Sequence, residues 1–483
     1  MINFQKSLNP LAALFAENRG HGRPARVWRN VCTQAGGTPP DANRIAPCPA
    51  VVVSMKRPRL LACFLFVASV LSVPGGEPVA SRIDDLVAAA LEGNAELKAF
   101  EAELGKAKGK RTQAGFFKNP EVSIEIGVRE VRDSENILQG NGTTFGVAVM
   151  QRFEFPGKGT LRKAIANKNV EIAALGIEQF RLALAGQVRL LALEHLAAVA
   201  EARAAEAIYK QSAGLASRLN SQADFGARLK IELRLVQAGM VELAAAIKQA
   251  SQRSEDTRTR LNALIGRPQG LPLHIADALV PPAGKIDEKA LALSAQKNNL
   301  LLKIRHSELE RSVRELTAAR LDIAPDFSIG PFFSRDVAGD TEQNLGGAIS
   351  ASVPLWDWNI GNIQSAKARL AEAEALRVKG ERDTEAQALI LLKTYELTRR
   401  QLAMLPDGLM EDLQETSTLA DTQFRDGSIG AQLYLDAQSA YLNSLRISQG
   451  AVLDAWRALL DLNLLTGGRL DASASSNTMK SRP

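Results

Sequence analysis

The feature that most constrains this chain is a pattern used twice: a helix-periodic run, two short alternating strands, then two long helical runs ending in a glycine. Asn119-Pro120, Phe155-Pro156, Phe225-Gly226 and Ile265-Gly266 punctuate the first copy, and Ala324-Pro325, Val353-Pro354, Asp426-Gly427 and Thr466-Gly467 punctuate the second in the same order. A repeat period of roughly 200 residues overrides the three domains of roughly 150 residues that length alone would suggest. The chain reads as a tandem duplication over 81–280 and 281–470. The first copy is expected to hold strands at about 120–130 and 143–155 and a long hairpin over 158–266. The second is expected to hold strands at about 326–335 and 345–355 and a long hairpin over 359–467.

Ahead of the repeats lies a leader. Lys56, Arg57 and Arg59 precede an apolar run from Leu60 to Val73, and Pro74 and Gly75-Gly76 follow. This is the basic-then-apolar order of a secretory signal, expected over 55–80. At about 14 residues the run is shorter than the roughly 20 that a bilayer-spanning helix needs. Residues 1–54 read as a non-structural extension or a mis-annotated start ahead of Met55, and 471–483 as a disordered tail. Residues 1–80 carry nine Lys/Arg and three Asp/Glu, which is the whole net charge of +6, and the rest of the chain has 50 of each. The basic balance is therefore no argument for nucleic acid, and no nucleic-acid partner is expected. Cys32, Cys48 and Cys63 all precede Ser81, so the exported chain has no disulfide, no thiolate chemistry and no cysteine for a lipid anchor.

The strand segments alternate with period two. Val122, Ile124, Ile126 and Val128 form one face of the first, and Phe145, Val147, Val149, Phe153 and Phe155 one face of the next, with Gln151 the exception. Phe327, Ile329, Pro331 and Phe333 form a face of the third, and Leu345, Gly347, Ile349, Ala351, Val353 and Leu355 a face of the fourth. Each segment has about the 9–11 residues of a tilted transmembrane strand, and its alternative is a half-buried hairpin in a soluble domain. The polar connections Asp133 to Asn141 and Asp336 to Asn344 read as outward loops. Four strands cannot close a barrel, for which about eight is the minimum, and an open sheet edge cannot sit in lipid. If the chain spans a membrane, it must oligomerise.

The fold class expected is mainly α with a transmembrane β-barrel contribution, consistent with 46% hydrophobic, 23% charged and only 5% aromatic residues. The runs from Gly159 to about Gln211 and from Asn359 to about Phe424 would reach about 80–100 Å as helices. A coiled-coil filament is the rival, but strict heptads are not sustained and the strands have no place in it. Pro406-Asp407-Gly408 is expected to break the second run.

Competing chemistry is sparse. His195, His274 and His306 are dispersed and pair with no cysteine, so no metal site, cofactor site or catalytic residue is expected and the chain does not read as an enzyme. Glu154 and Glu125 are placed to pair with Lys158 and Arg129, or to end solvated.

The order of elements, together with Asn94-Ala95-Glu96-Leu97, Lys118-Asn119-Pro120-Glu121, Val353-Pro354-Leu355-Trp356-Asp357, Gly427 with Leu435-Asp436-Ala437, and Leu464-Leu465-Thr466-Gly467, resembles the TolC family of outer-membrane efflux ducts. The resemblance spans Ser81 to Gly467. Phe155-Pro156-Gly157-Lys158 followed by Arg162 is similar to the CzcC branch, which serves heavy-metal efflux. The resemblance implies a homotrimer with a twelve-stranded barrel in outer-membrane lipid and an α-helical barrel across the periplasm. It also implies two partners, a periplasmic adaptor (membrane fusion) protein and an inner-membrane pump of the resistance-nodulation-division type. On the same footing Asp436 matches an acidic residue lining the periplasmic aperture, Leu433 stands where another acid would be, and Glu232 is the first hairpin's counterpart. Gly226 and Gly427 would mark the adaptor-docking hairpin tips. A structural or adhesive envelope protein is the other class, and it has no need of paired strands in both halves.

Overall fold

The structure, a computed structural model, describes residues 81–222, 226–406, 408–468 and 470. The expectations for the extension, the signal peptide and the tail fall outside the described residues. The elements run α1 (Ile83–Gly93), α2 (Ala95–Ala114), β1 (Glu121–Arg132), β2 (Leu138–Phe153), α3 (Lys158–Gln222) and α4 (Ala227–Ile265). The order then repeats as α5 (Glu288–Asn298), α6 (Leu300–Leu321), β3 (Phe327–Ala338), β4 (Asp340–Ala351), α7 (Ile360–Ala403), α8 (Leu409–Arg425) and α9 (Ala431–Leu465).

The two copies use the same local devices. Asn94 caps α2 by accepting the Leu97 amide at 2.9 Å, and Asn299 caps α6 by accepting the Leu302 amide at 3.0 Å. Each cap satisfies a helix N–H that has no partner within its own helix. At the end of each hairpin a glycine takes a left-handed conformation, Gly266 with φ 77° and Gly467 with φ 66°. A Cβ on Gly467 would lie 2.5 Å from the Asn298 carbonyl oxygen, so the close return of the chain onto α5 requires glycine there.

With 65 residues, α3 extends about 98 Å at 1.5 Å per residue. It packs along α1, α2, α4, α6 and α9, which is how so long a helix is stabilised. Among the described residues the segment Lys158–Ser221 is the one helix long and apolar enough to cross a bilayer, and half of its most apolar window is buried in the bundle. The core is a series of clusters along the bundle. One joins Leu86, Val188 and Leu261, a second Leu392, Tyr395 and Leu462, and a third Leu215, Val236, Phe424 and Tyr434. In the second copy the long run is interrupted: α7 stops at Ala403, Pro406 follows, and α8 starts after Gly408, whose φ is 79°.

The strands are longer at their free ends than alternation suggests. The expected loops contract to residues 133–137 and to the single residue Gly339 at φ 93°. Glu130 pairs in register with Asn141 and Asp336 with Glu342, so the ladder continues through residues polar enough to read as loop. Period-two hydrophobicity ends where an apolar environment ends, whereas backbone pairing need not. Conversely β4 stops at Ala351, leaving Val353 and Leu355 beyond the strand.

Candidate functional site

The four strands form one antiparallel sheet in the order β1-β2-β3-β4, with β1 and β4 at its edges. Register puts Ile124, Val147, Phe333 and Leu345 in one row across the sheet, and Glu125, Gly146, Ser334 and Asn344 in the next. One face is therefore apolar and the other mostly small and polar, with Met150 and Phe332 the exceptions. The apolar face is uncovered: Val122, Ile124, Ile126 and Val128 are 64%, 65%, 77% and 76% exposed, and Leu345 and Ile349 are 82% and 75%. So large a bare apolar face needs a non-aqueous neighbour.

On the polar face, near the turn end, Arg129 bonds to Asp336 at 3.0 Å and Glu342 at 3.2 Å, and the Thr144 hydroxyl donates to Asp336. Arg129 thus ties β1 to β3 and β4, and of the two readings of Glu125, a pair with Arg129 or a solvated end, the pair is not made. The opposite end of the sheet meets the helices through two further clusters. Lys158 donates to Asp326 at 2.9 Å and to the Ala324 carbonyl at 2.7 Å, and Arg152 reaches Asp326 at 3.0 Å. Burial pushes the Asp326 carboxyl up, but the bonds from Lys158, the Phe155 amide and Arg152 outweigh it and hold it below the ordinary value. Glu154 is taken by Arg162 through both oxygens, at 2.6 and 2.7 Å, with Lys118 at 3.7 Å. Neither reading of Glu154 holds: it is neither a solvated end nor a partner of Lys158, whose ammonium goes to Asp326 on the loop from the other copy, while Arg162 takes Glu154. Lys158 and Arg162 thus fasten the strand-to-helix junctions.

At the far ends of the hairpins α3, α4, α8 and α9 come together around Leu215, Val236, Phe424 and Tyr434. The Ser212 and Tyr434 hydroxyls are 2.9 Å apart and the rings of Phe424 and Tyr434 stack at 5.2 Å. The turn itself is closed by the Gly427 amide on the Phe424 carbonyl and the Ser428 amide on the Gln423 carbonyl, with Gly427 at φ 75°. Those two bonds satisfy the last carbonyls of α8 and need a residue that tolerates the left-handed region. Gly226, before α4, has φ 156°. Glu232 and Asp436 each stand six residues into their helix, at this same end. Glu232 is held by Arg228 at 3.1 Å, whereas Asp436 is exposed and accepts from the Gln432 amide at 2.9 Å. The two carboxylates share an end of the bundle but do not touch.

Among the described residues no group of His, Cys, Asp and Glu is placed to hold a metal ion. His195 is packed against the Ser254 carbonyl and the Thr257 hydroxyl, and its burial pushes its pKa down. His306 pairs with Glu310 at 3.1 Å, and His274 is exposed. Sequence reasoning missed two acids of the bundle, the buried Glu201 and the half-buried Asp461. An amphipathic helix shows its Glu and Asp identically whether they are solvated or packed, so no signal marked them.

No family profile and no curated protein matches the sequence. Solved structures do match the fold. The outer-membrane channel OprN superposes with a TM-score of 0.67 at 16% identity, covering 80% of this chain and 90% of that one. CusC, described in terms of folding and transmembrane channel formation, gives 0.64 at 14% identity over 81% and 93%. The Campylobacter jejuni CmeC outer-membrane channel gives 0.65 at 15% identity over 81% and 86%. The chain has the fold of these channels: long helical hairpins with a four-stranded sheet.

Proposed function

We propose that this chain is the outer-membrane channel of a tripartite efflux system, a passive duct of the TolC type that extends into the periplasm. The observation that carries the reading is the sheet, apolar and bare on one face, polar on the other, and open at both edges. Three copies joined β4 to β1 would give twelve strands with the apolar faces toward lipid and Arg129, Asp336 and Glu342 toward water, which removes every open edge. The same operation would set the long hairpins side by side as a periplasmic tube, with the turns at Gly226 and Gly427 at its far end to meet a periplasmic adaptor. An inner-membrane pump would supply the energy, and the duct itself does no chemistry. Heavy-metal cations are the substrate class we favour, from the Phe155-Pro156-Gly157-Lys158 resemblance and from Asp436, which three-fold symmetry would repeat as a ring of carboxylates. A drug or organic-solute duct, or a type I secretion duct, would share the same fold.

Planar-bilayer recordings of the purified protein test the reading. Discrete, cation-preferring conductance is expected, and Asp436→Asn should shift the reversal potential under a salt gradient toward non-selectivity, because a charge ring acts strongly where the pore is narrow. Absence of conductance from correctly folded protein would refute the channel, and an unchanged reversal potential would place the selecting charge elsewhere.

A further inference from the structure

The two copies differ in charge at the passage from helix to first strand, where the fold makes them equivalent. Between Leu104 and Pro120, leading into β1, stand Lys106, Lys108, Lys110, Arg111 and Lys118 and no acidic residue. The matching stretch leading into β3, Leu309 to Pro325, holds Arg311, Arg314 and Arg320 balanced by Glu310, Glu315 and Asp322. There the charges close on one another, Arg311 on Glu315 and Arg314 on Glu310. In the first copy Lys106 has Glu103 and Lys118 has only a 3.7 Å contact to Glu154, while Lys108 and Lys110 join no ion pair among the described residues. Since the second copy makes the same helix-to-strand passage with no net charge, the fold does not require this excess.

The basic stretch ends in two bare aromatic rings, Phe116 and Phe117, the latter 84% exposed. Between them and the start of α3 opens a groove of about 540 Å³, lined by Lys110, Phe116, Phe117, Lys118, Arg162 and Ile165. It lies at the helix end of the sheet, where Glu121 begins β1 and where Phe153 stacks on Phe327 at 5.5 Å. Trp356, at the matching exit from β4, is 91% exposed. Aromatic rings at one end of an apolar band mark the level of lipid headgroups, and cations just outside that band attract anionic lipid.

We infer that this groove binds an anionic glycerophospholipid from the leaflet out of which the helices emerge, with the phosphate between the Lys110 and Lys118 ammonium groups and the glycerol and upper acyl chain along Phe116, Phe117 and Ile165. The inference rests on the membrane-barrel reading above. The site gives the assembly a fixed depth and a lipid preference on the first-copy side only, three times per trimer. In the second copy Arg311 and Arg314 are engaged by Glu315 and Glu310 and the stretch carries no net charge, so it offers a phosphate far less.

The test uses the full-length trimer in detergent, mixed with equal phosphatidylglycerol and phosphatidylcholine, with retained lipid measured by native mass spectrometry. The expected result is preferential retention of phosphatidylglycerol by about tenfold or more, lost in the Lys110→Gln/Lys118→Gln double variant and in high salt, and kept in Arg314→Gln. Millimolar inorganic phosphate should not displace it, and lipopolysaccharide should not replace it. Equal retention of both lipids, a preference that survives the double variant, displacement by phosphate alone, or replacement by lipopolysaccharide would each overturn the inference. Conductance of the same preparation in a phosphatidylcholine bilayer separates this failure from failure of the channel reading.

Discussion

Glu201→Ala should lower the stability of the folded chain by about 2–3 kcal/mol. The Glu201 carboxylate is 3% exposed and takes Arg446 through Nε at 3.0 Å and Nη2 at 2.7 Å, and Arg253 at 2.8 Å. One acid on α3 thereby holds an arginine from α4 and another from α9, tying the two hairpins together midway along their length. Removing it leaves two guanidinium groups facing a space that held a negative charge. Breaking a fully buried pair costs about 3–5 kcal/mol, and the figure is reduced here because both arginines can turn partly into solvent. Glu201→Gln keeps an acceptor and removes only the charge, so it should cost about half as much. Unfolding in detergent followed by circular dichroism checks both, with the inactivation half-life replacing Tm if unfolding is irreversible. A Tm for Glu201→Ala equal to that of the parent would mean that the trio contributes nothing.

The second large effect is one of pH. Asp461 on α9 has its carboxyl pushed up by burial to about 6, against the opposing pull of Arg457. Arg457 is already engaged by Asp454 at 2.9 Å and Glu194 at 3.0 Å. A folded-state value above the unfolded one means that the folded chain holds its proton more tightly. Stability from this group is thus complete below about pH 4, falls as pH rises from about 4 to about 6, and stays lost above that. Asp461→Asn should remove that loss, raising stability at pH 7.5 by about 2–3 kcal/mol and flattening the profile between about pH 4 and 6. Thermal unfolding of parent and variant across that range is the check, and parallel profiles would show that Asp461 is solvated.

The strands were legible because Val122 to Val128 and Leu345 to Ile349 alternate under a physical demand, one face to an apolar phase and one to water. The same logic misjudged the sheet's outer rim, where Asn141 and Asp336, read as loop for their polarity, stay in the ladder. Proline and glycine located the break after Ala403 and the turn at Gly427, since both act through local backbone geometry. What could not be read was partner choice among charges. Lys158 is near Glu154 in sequence yet bonds Asp326, and Glu201 finds an arginine 245 residues away. Such pairs are fixed by how the two copies pack, which no local pattern encodes. Asp436 and Glu232 were placed by resemblance, and in a single chain they stand at one end of the bundle beside Gln432 and Arg228, so the aperture role proposed for them would arise only through assembly.

Assembly through the sheet edges is the central claim, and cysteine crosslinking tests it most directly. The chain after Cys63 contains no cysteine, so introduced thiols have no competitors there. One cysteine replaces Glu125 on the polar face of β1, and a series replaces residues of β4 on the same face, from Glu342 to Ser350. If β4 of one copy pairs with β1 of the next, oxidation in isolated outer membranes should yield a covalent trimer, at one or two adjacent positions of the series and with no larger species. Monomer alone at every position, from membranes in which the full-length protein is recovered and its thiols are reactive, would contradict the closed twelve-stranded barrel, and so would an open ladder running past three.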